Sequence, residues 1–309
     1  MEGPRRKPEA NRGEKPGGET TRWIGRPAIE IWNRLRIVEL LLRAGERAAA
    51  LRDGLRYELK ADASLVTQAD REIEALLGKE FDRPREGVHL IGEETVAEKG
   101  EDYIREAFRR TAYIVDPIDG TSPYAHHLPN WGISIGRMEA GALTDGAVYL
   151  PDFRIIVVSE GKAVFQGHRS EGETVWRWRE MAVPPVEKGP GGLIAITQEI
   201  AKSGQVRLPN PVQALGAAVV PLVKLLDGHF VAYVGSLRLW DVAGALPLLA
   251  RLRFSMTRLR ATPAARLDLA VSAENYVLDA GDPLRWSIRG GVLVCPPSEE
   301  ARIRSGFEI

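Results

Sequence analysis

The stretch that most constrains this chain is an apolar strand that runs into two aspartates, "AYIVDPIDGT" at residues 112–121. Four apolar residues precede Asp116 and predict a buried strand that ends there. Pro117 restrains the backbone and removes a hydrogen-bond donor, and Gly120 lets a ligand approach the main chain closely. The same residue types also form simple turns. The stretch therefore indicates either a turn or a metal site that handles phosphate.

Further carboxylates lie beside apolar strands or helix starts, in "VTQAD", "IGEET" and "LWDVAGA". They belong to Asp70, Glu93, Glu94 and Asp241. Each has a simpler interpretation alone, as a helix cap, an acid in a first helical turn or a solvated strand end. Hard cations such as Mg²⁺, however, are held by a few carboxylates together with phosphate oxygens and water. With Asp116 and Asp119, and with the Ile118 carbonyl facing the same centre, the set predicts such a site.

Gly120 and Thr121 follow the second aspartate directly. If a helix begins there, its first N–H groups have no partner within the helix and form an anion site beside the metals. The nearest alternative is the D-x-D-G-T motif of haloacid dehalogenase-type phosphatases, in which the first aspartate attacks phosphorus. Here the aspartates are three apart, with Pro117 and Ile118 between them, which argues against the covalent route.

The four acidic stretches, in this order, resemble the inositol monophosphatase family of Mg²⁺-dependent, lithium-sensitive phosphatases, over roughly residues 27–255. The resemblance implies an α+β fold, a layered αβαβα sandwich of the inositol monophosphatase and fructose-1,6-bisphosphatase type. It also implies a homodimer, two or three Mg²⁺ ions, and hydrolysis of a small phosphorylated metabolite by water.

The same resemblance assigns metal ligands residue by residue. Glu93, Asp116 and the Ile118 carbonyl would hold the first ion, and Asp116, Asp119 and Asp241 the second. Glu93 would also help to hold a third ion that binds more weakly. Two neighbouring metals can lower the pKa of a bound water and stabilise the entering and leaving oxygens.

The resemblance also implies the catalytic and substrate-binding positions. Thr121, paired with Asp70, would orient and deprotonate the attacking water, with Glu93 counted among the catalytic residues. Glu94 would support the site from behind the ligands. The substrate-binding positions implied are Asp119, Gly120, Thr121 and Asp241.

Three positions depart from the family pattern around the leaving group: Val234 stands where a glutamate is common, Ala217 where a hydroxyl is usual, and Gln213 where a basic residue is common. The Gly-Gly turn expected after the W-D helix is replaced by "RLRFSMTRLR". Histidinol phosphate, nucleotide 3′-phosphates and fructose bisphosphate therefore stay open as substrates beside inositol phosphate. A catalytically silent relative that binds metal or phosphate is a further alternative.

Four residues near the motifs have two interpretations each. Trp131, in an L-P-x-W-G segment shared with histidinol-phosphate phosphatases, is expected in the core, and His126 and His127 in an exposed loop. Arg238 would be either a solvated residue or a contact for an anionic substrate group.

Composition restricts the function classes. The 309 residues contain 42 basic and 42 acidic side chains, so their formal net charge of zero does not favour nucleic acid or an anionic membrane as a partner. No apolar run approaches the ~18 residues of a membrane helix. The single cysteine, Cys295, permits no internal disulfide. We therefore expect a cytoplasmic enzyme.

Periodicity and composition predict the organisation of the chain. A charged tail rich in Pro and Gly, residues 1–22, is expected to be disordered. An α+β half, residues 23–182, contains a helix over 27–52, a helix capped by Thr67 or Asp70, a helix near 101–110 and an antiparallel meander from Trp131 onward. A second half, residues 183–309, alternates strands with helices over 212–229 and 240–252 after a hinge at 183–192.

Overall fold

The computed structural model describes residue 3 and residues 32–54, 57–59, 65–183, 189–261 and 265–308. The described residues from Trp32 onward belong to one compact unit. The tail predicted for residues 1–22 lies outside the described residues except for residue 3, and residues 184–188 of the predicted hinge lie outside them too. The division into two halves stays a prediction.

The helices of the described part are short except for the first two. They are α1 (Arg34–Arg52), α2 (Gln68–Phe81), α3 (Glu101–Arg109), α4 (Thr121–Ala125), α5 (Gln198–Ser203), α6 (Val219–Leu226), α7 (Leu239–Ala243), α8 (Leu246–Arg251) and α9 (Glu300–Ser305).

Most strands belong to two larger sheets. The strands are β1 (Tyr57–Leu59), β2 (Leu65–Thr67), β3 (Val88–Gly92), β4 (Thr111–Asp119), β5 (Gly132–Glu139), β6 (Ala142–Leu150), β7 (Ile155–Glu160), β8 (Ala163–His168), β9 (Arg177–Glu180), β10 (Leu193–Ile196), β11 (Gln205–Val206), β12 (Val212–Gln213), β13 (Phe230–Gly235), β14 (Ser255–Arg258), β15 (Ala265–Arg266), β16 (Val292–Cys295) and β17 (Phe307–Glu308).

The two larger sheets are both mixed. The seven-stranded sheet has the order β3-β4-β5-β6-β7-β8-β9, in which β3 and β4 are parallel and the rest form the predicted antiparallel meander. The six-stranded sheet has the order β12-β10-β13-β16-β14-β15, in which β12, β10 and β13 are parallel and the other strands antiparallel.

Five layers result, as the resemblance implied. Helices α1 and α2 pack on one face of the seven-stranded sheet, and α6, α7 and α8 lie between the two sheets. On the far face of the six-stranded sheet, Ile200 of α5 and Ile303 of α9 pack against strand residues such as Cys295. The main core forms where the middle helices meet both sheets.

Local signals explain the first two helices. Asn33 has extended backbone angles and its side chain accepts from the amides of Leu35 and Arg36, so α1 begins at Arg34. Residues 27–31 of the predicted helix lie outside the described residues. At α2, the Thr67 side chain accepts from the Asp70 amide while the Asp70 side chain accepts from the Thr67 amide. This reciprocal capping box confirms the predicted start of the second helix.

Three boundaries differ from the prediction. Strand β4 continues past Asp116 to Asp119, with a register shift against β5 between these two residues, because Pro117 cannot donate to the ladder and a bulge absorbs it. The helix predicted over 212–229 forms only as α6, after the two-residue strand β12. The helix predicted over 240–252 divides into α7 and α8, because Pro247 cannot donate to the carbonyl four residues before it.

Candidate metal and phosphate site

Three of the predicted carboxylates converge at the end of β4. Asp116, Asp119 and Asp241 each place a carboxylate oxygen within 4.8 Å of the others. Asp116 and Asp119 come from the bulged end of β4, and Asp241 comes from the first turn of α7. This is the set that the resemblance implied for the second metal.

Close backbone packing places α7 on the seven-stranded sheet. A Cβ atom at Gly136 of β5 would lie 2.5 Å from the Ala243 carbonyl oxygen, and one at Gly146 of β6 would lie 2.1 Å from the Gly244 carbonyl oxygen. Glycine at both strand positions therefore lets the helix lie directly on the strands. The Ser134 hydroxyl of β5 also donates to the Trp240 carbonyl at 3.3 Å, and this close seating of α7 brings Asp241 to the β4 carboxylates.

Without a cation, burying these clustered carboxylates in ionised form is unfavourable in free energy. Asp116 is 1% exposed, and its Oδ1 is a buried oxygen that lacks a hydrogen-bond partner among the described residues. Burial, then the charges of Glu93 and Asp119, hold the pKa of Asp116 well above its usual range. Burial also raises the pKa of Asp119 well above its usual range, and it raises the pKa of Asp241 to about 7. Clustered carboxylate oxygens of this kind fit a hard divalent cation.

Glu93 and Ile118 are the other two predicted metal ligands. The charge of Glu93 raises the pKa of both Asp116 and Asp241, although Glu93 is not within the three-residue group. Its backbone amide donates to the Val115 carbonyl at 3.2 Å, which ties the end of β3 to β4. The Ile118 carbonyl oxygen lies 3.2 Å from the Thr121 hydroxyl oxygen, whose single proton can go to this carbonyl or to Asp70.

The predicted pair of Thr121 and Asp70 is present. The Thr121 hydroxyl donates to Asp70 Oδ1 at 3.2 Å, while Asp70 Oδ2 accepts from the Thr67 amide at 2.8 Å and the Thr67 hydroxyl at 2.6 Å. Asp70 is fully buried, and burial raises its pKa to about 7. One carboxylate thus caps α2 with one oxygen and faces Thr121 with the other.

Gly120 makes the turn between the second aspartate and α4. Its φ is +86°, and a Cβ there would lie 2.6 Å from the Asn130 carbonyl oxygen and 2.8 Å from the Ala217 side chain. Both the backbone angle and the space therefore require glycine. Helix α4 begins at the next residue, Thr121, as predicted, and consists of a single turn.

Asp119 has an additional role that the sequence did not reveal. Its Oδ2 accepts from the backbone amides of Ala218 and Val219, both at 2.7 Å, at the start of α6. The side chain therefore caps a helix from the middle layer while contributing to the carboxylate cluster. No local pattern predicts this contact, because the partners are far apart in sequence.

Glu74 is a site residue that sequence reasoning missed. It is 1% exposed, and its carboxylate accepts from the amides of Glu94 and Thr95 at 2.8 and 2.9 Å and from the Thr95 hydroxyl at 2.5 Å. It therefore holds the segment that follows Glu93. The available signal was its spacing, since Glu74 follows Asp70 by one helical turn, on the face that buries Ile73.

An open cavity of about 180 Å³ adjoins the cluster. It is lined by Asp119, Ile196, Thr197, Gln198, Gly216, Ala217, Ala218, Tyr233, Leu237 and Asp241. Of the three departures around the leaving group, Ala217 lines this cavity, whereas Val234 is fully buried in the core on the far face of the six-stranded sheet. Gln213 is exposed on β12 and is not among the lining residues.

The remaining residues with two interpretations are placed as follows. Trp131 is fully buried, and His126 and His127 are exposed, as expected. The backbone amide of Arg238 donates to Asp241 Oδ2 at 2.8 Å, and the Arg238 guanidinium lies 5.8 Å from the centroid of the Trp240 ring. Among the described residues, no helix is long and apolar enough to cross a membrane.

Comparison with known proteins agrees with this geometry. The family model described as "Inositol monophosphatase family" matches residues 35–275. The inositol-1-monophosphatase of Mesorhizobium japonicum is 28% identical over 204 residues, 63% of this chain and 72% of that protein. Human inositol monophosphatase 2 is 30% identical over 219 residues, 67% of this chain and 74% of that protein.

Solved structures share the fold. An IMPase/NADP phosphatase complexed with NADP and Ca²⁺ superimposes with a TM-score of 0.66 at 17% identity, covering 90% of this chain and 99% of that one. At this identity the likeness shows the layered fold alone. The match of the family model over most of the chain shows that the protein belongs to the inositol monophosphatase family of phosphoric monoester hydrolases.

Proposed function

We propose that this protein is a Mg²⁺-dependent phosphomonoesterase that hydrolyses a small-metabolite phosphate ester with a metal-activated water. The observation that carries the proposal is the buried carboxylate cluster beside the hydrogen-bonded pair of Thr121 and Asp70. Within the described ranges, Asp116 Oδ1 of this cluster has no hydrogen-bond partner. A protein that only bound metal or phosphate would have no need of that pair, which argues against the catalytically silent alternative.

The metal ligands in the proposal are Glu93, Asp116, the Ile118 carbonyl, Asp119 and Asp241, holding two or three ions. Mg²⁺ bound there would lower the pKa of water and neutralise charge on the phosphoryl oxygens. The carboxylates supply this electrostatic field from fixed positions, which phosphoryl transfer needs more than a protein nucleophile.

Thr121 and Asp70 handle the proton in this proposal. The Thr121 hydroxyl can accept a hydrogen bond from the attacking water while it donates to Asp70. Because burial raises the pKa of Asp70 to about 7, its carboxylate is a base suited to neutral pH. The amides of Gly120 and Thr121 would hold the phosphate, and Glu94 would support the site from behind.

The cavity beside the cluster is the proposed leaving-group pocket. Apart from Asp119 and Asp241, which would hold metal ions, the described residues on its wall are uncharged. A second phosphate or carboxylate would find no cation there, and burying such a group unpaired is costly. We therefore favour esters of an uncharged alcohol, with an inositol phosphate first and histidinol phosphate, nucleotide 3′-phosphates and fructose bisphosphate after it.

The names of the relatives support an inositol phosphate as the first substrate to test. Both relatives compared above are named for inositol monophosphatase activity. From the resemblance we also propose inhibition by Li⁺ and a homodimer. We further propose a cytoplasmic location, which is consistent with a single buried cysteine, Cys295.

The test is phosphate release from a panel of esters with Mg²⁺, with and without Li⁺. The panel contains inositol 1-phosphate, histidinol phosphate, adenosine 3′,5′-bisphosphate and fructose 1,6-bisphosphate. We expect turnover of the inositol ester above that of both bisphosphates, and its loss in Asp116→Asn. The control is Asp102→Asn, since the Asp102 side chain is 92% exposed. Phosphate release from none of the esters would refute the proposal.

A further inference from the structure

Arg52, the last residue of α1, contacts the segment that follows Thr121. Its Nε donates to the Tyr124 carbonyl at 2.9 Å and its Nη2 to the Leu128 carbonyl at 2.6 Å. The guanidinium lies 5.2 Å from the centroid of the Tyr124 ring and 5.6 Å from that of Trp131, and the side chain is only 13% exposed. One cation thus holds two carbonyls and two aromatic rings of this segment.

Helix α4 needs support from outside. It is a single turn, and helices this short are unstable in isolation because nucleation is unfavourable. The chain that follows closes its last turn, since the Tyr124 carbonyl accepts from the His127 amide at 3.1 Å. A cation near the end of a helix is favourable in addition. Arg52 supplies a second donor and a positive charge at Tyr124, at the opposite end of the helix from Thr121.

Asp152 fixes the orientation of Arg52. Its Oδ2 accepts from Arg52 Nη1 at 2.7 Å and from the Trp131 indole at 2.9 Å. Trp131 is fully buried, and a Cβ at Gly120 would lie 3.3 Å from the Trp131 Cα and 2.6 Å from the Asn130 carbonyl oxygen. A shift of the backbone at Asn130 and Trp131 would therefore reach Gly120 directly.

From these contacts we infer that Arg52 is a positioning residue for Thr121 and Gly120, acting through α4 and the loop after it. This inference rests on the proposed function, in which Thr121 orients the attacking water. Arg52 itself touches no reacting atom. Lysine cannot replace it fully, because a single ammonium lacks the planar fork that reaches Tyr124, Leu128 and Asp152 together. A displacement of about 1 Å in such a site can cost about a hundredfold in rate.

The test compares Arg52→Ala, Arg52→Lys and Arg47→Gln with the wild-type enzyme, using the best ester of the panel at saturating Mg²⁺. Arg47 lies on the same helix but pairs with Glu72 at the surface, so it is the matched control. We expect kcat to fall about ten- to a hundredfold in Arg52→Ala and less in Arg52→Lys, with a much smaller change in KM. Arg47→Gln should stay within about twofold of wild type.

Two further measurements separate positioning from mere stability. Millimolar guanidinium chloride should restore part of the kcat of Arg52→Ala, whereas sodium chloride at the same ionic strength should not. If Arg52→Ala does not fold, Arg52→Lys and Asp152→Asn decide, each with an expected loss of kcat at temperatures where circular dichroism shows it folded. A wild-type kcat in folded Arg52 variants, or a loss confined to melting temperature, would overturn the inference. No turnover by the wild-type enzyme would instead refute the proposed function.

Discussion

At the scale of single residues, the site combines groups that are unfavourable alone. Asp116 buries an oxygen that has no hydrogen-bond partner in the described part of the chain, and Gly120 adopts a φ that other residues rarely take. The role of the carboxylates as metal ligands could be predicted from sequence, because aspartate and glutamate provide the oxygen ligands that hard cations prefer. The strict need for glycine at position 120 was only partly predictable, since the Asn130 carbonyl that excludes a Cβ comes from a later loop.

Gly120→Ala tests this need. The added Cβ would meet the Asn130 carbonyl oxygen at 2.6 Å in addition to the cost of φ +86°, so we expect activity to be lost and the unfolding free energy to fall by more than the ~1 to 3 kcal/mol of backbone strain alone. Gly172→Ala is the control, because Gly172 has φ +76° with nothing within 4 Å of its Cβ position. Chemical denaturation measures both variants. Equal losses in the two variants would contradict the steric argument.

At the scale of elements, strong local sequence signals gave the most accurate predictions of helices and strands. The capping box of Thr67 and Asp70 set the start of α2, and alternating strands separated by glycine predicted the meander. Two boundaries were missed for different reasons. The carboxylate of Asp119 caps α6 from another element, which is a tertiary contact. Pro247 divides α7 from α8 by a local effect, although the apolar pattern continues through it.

Glu74 shows what an element contributes to the metal site. Glu74→Gln would replace one acceptor oxygen with an NH₂ group that cannot accept from the amides of Glu94 and Thr95. The segment after Glu93 would then shift. We expect the affinity for Mg²⁺, measured from activity against Mg²⁺ concentration, to fall about tenfold, with less change in kcat at saturating Mg²⁺. Glu72→Gln, on the exposed face of the same helix, should leave the Mg²⁺ titration unchanged. An unaltered titration in Glu74→Gln would show that this segment does not control the metal site.

At the scale of the whole molecule, the site exists only where distant parts of the chain meet. The order of the acidic stretches and their resemblance to a family predicted the convergence of β4 and α7. The spacing of the residues alone does not, because the glycine contacts that seat α7 on β5 and β6 depend on the packed layers.

This convergence makes stability depend on pH and metal together. Burial raises the pKa of Asp116 and Asp119, and that of Asp241 to about 7. Between the ordinary value near 4 and the raised value, the metal-free folded protein binds more protons than the unfolded chain, so its unfolding free energy falls as pH rises. Bound Mg²⁺ requires the deprotonated carboxylates, so it stabilises most above this window.

Melting temperatures in EDTA and in excess Mg²⁺ test this linkage. We expect the metal-free melting temperature to fall from about pH 5 to about pH 8, and the gain from Mg²⁺ to be larger at about pH 8 than at about pH 6. Asp116→Asn should abolish most of that gain, whereas Asp102→Asn should keep it. A gain that is the same at both pH values would argue against raised pKa values in the cluster.

The two sheets contribute differently to the site. The carboxylate cluster stands on the end of β4 and on α7, whereas the cavity wall includes Ile196 and Tyr233 from the six-stranded sheet. Substitutions at Ile196 and Tyr233 can therefore change the cavity while the carboxylate cluster keeps its own elements. An engineer who wished to retarget this enzyme to another alcohol could randomise these two positions, and related proteins could come to differ in substrate while they keep the same carboxylates.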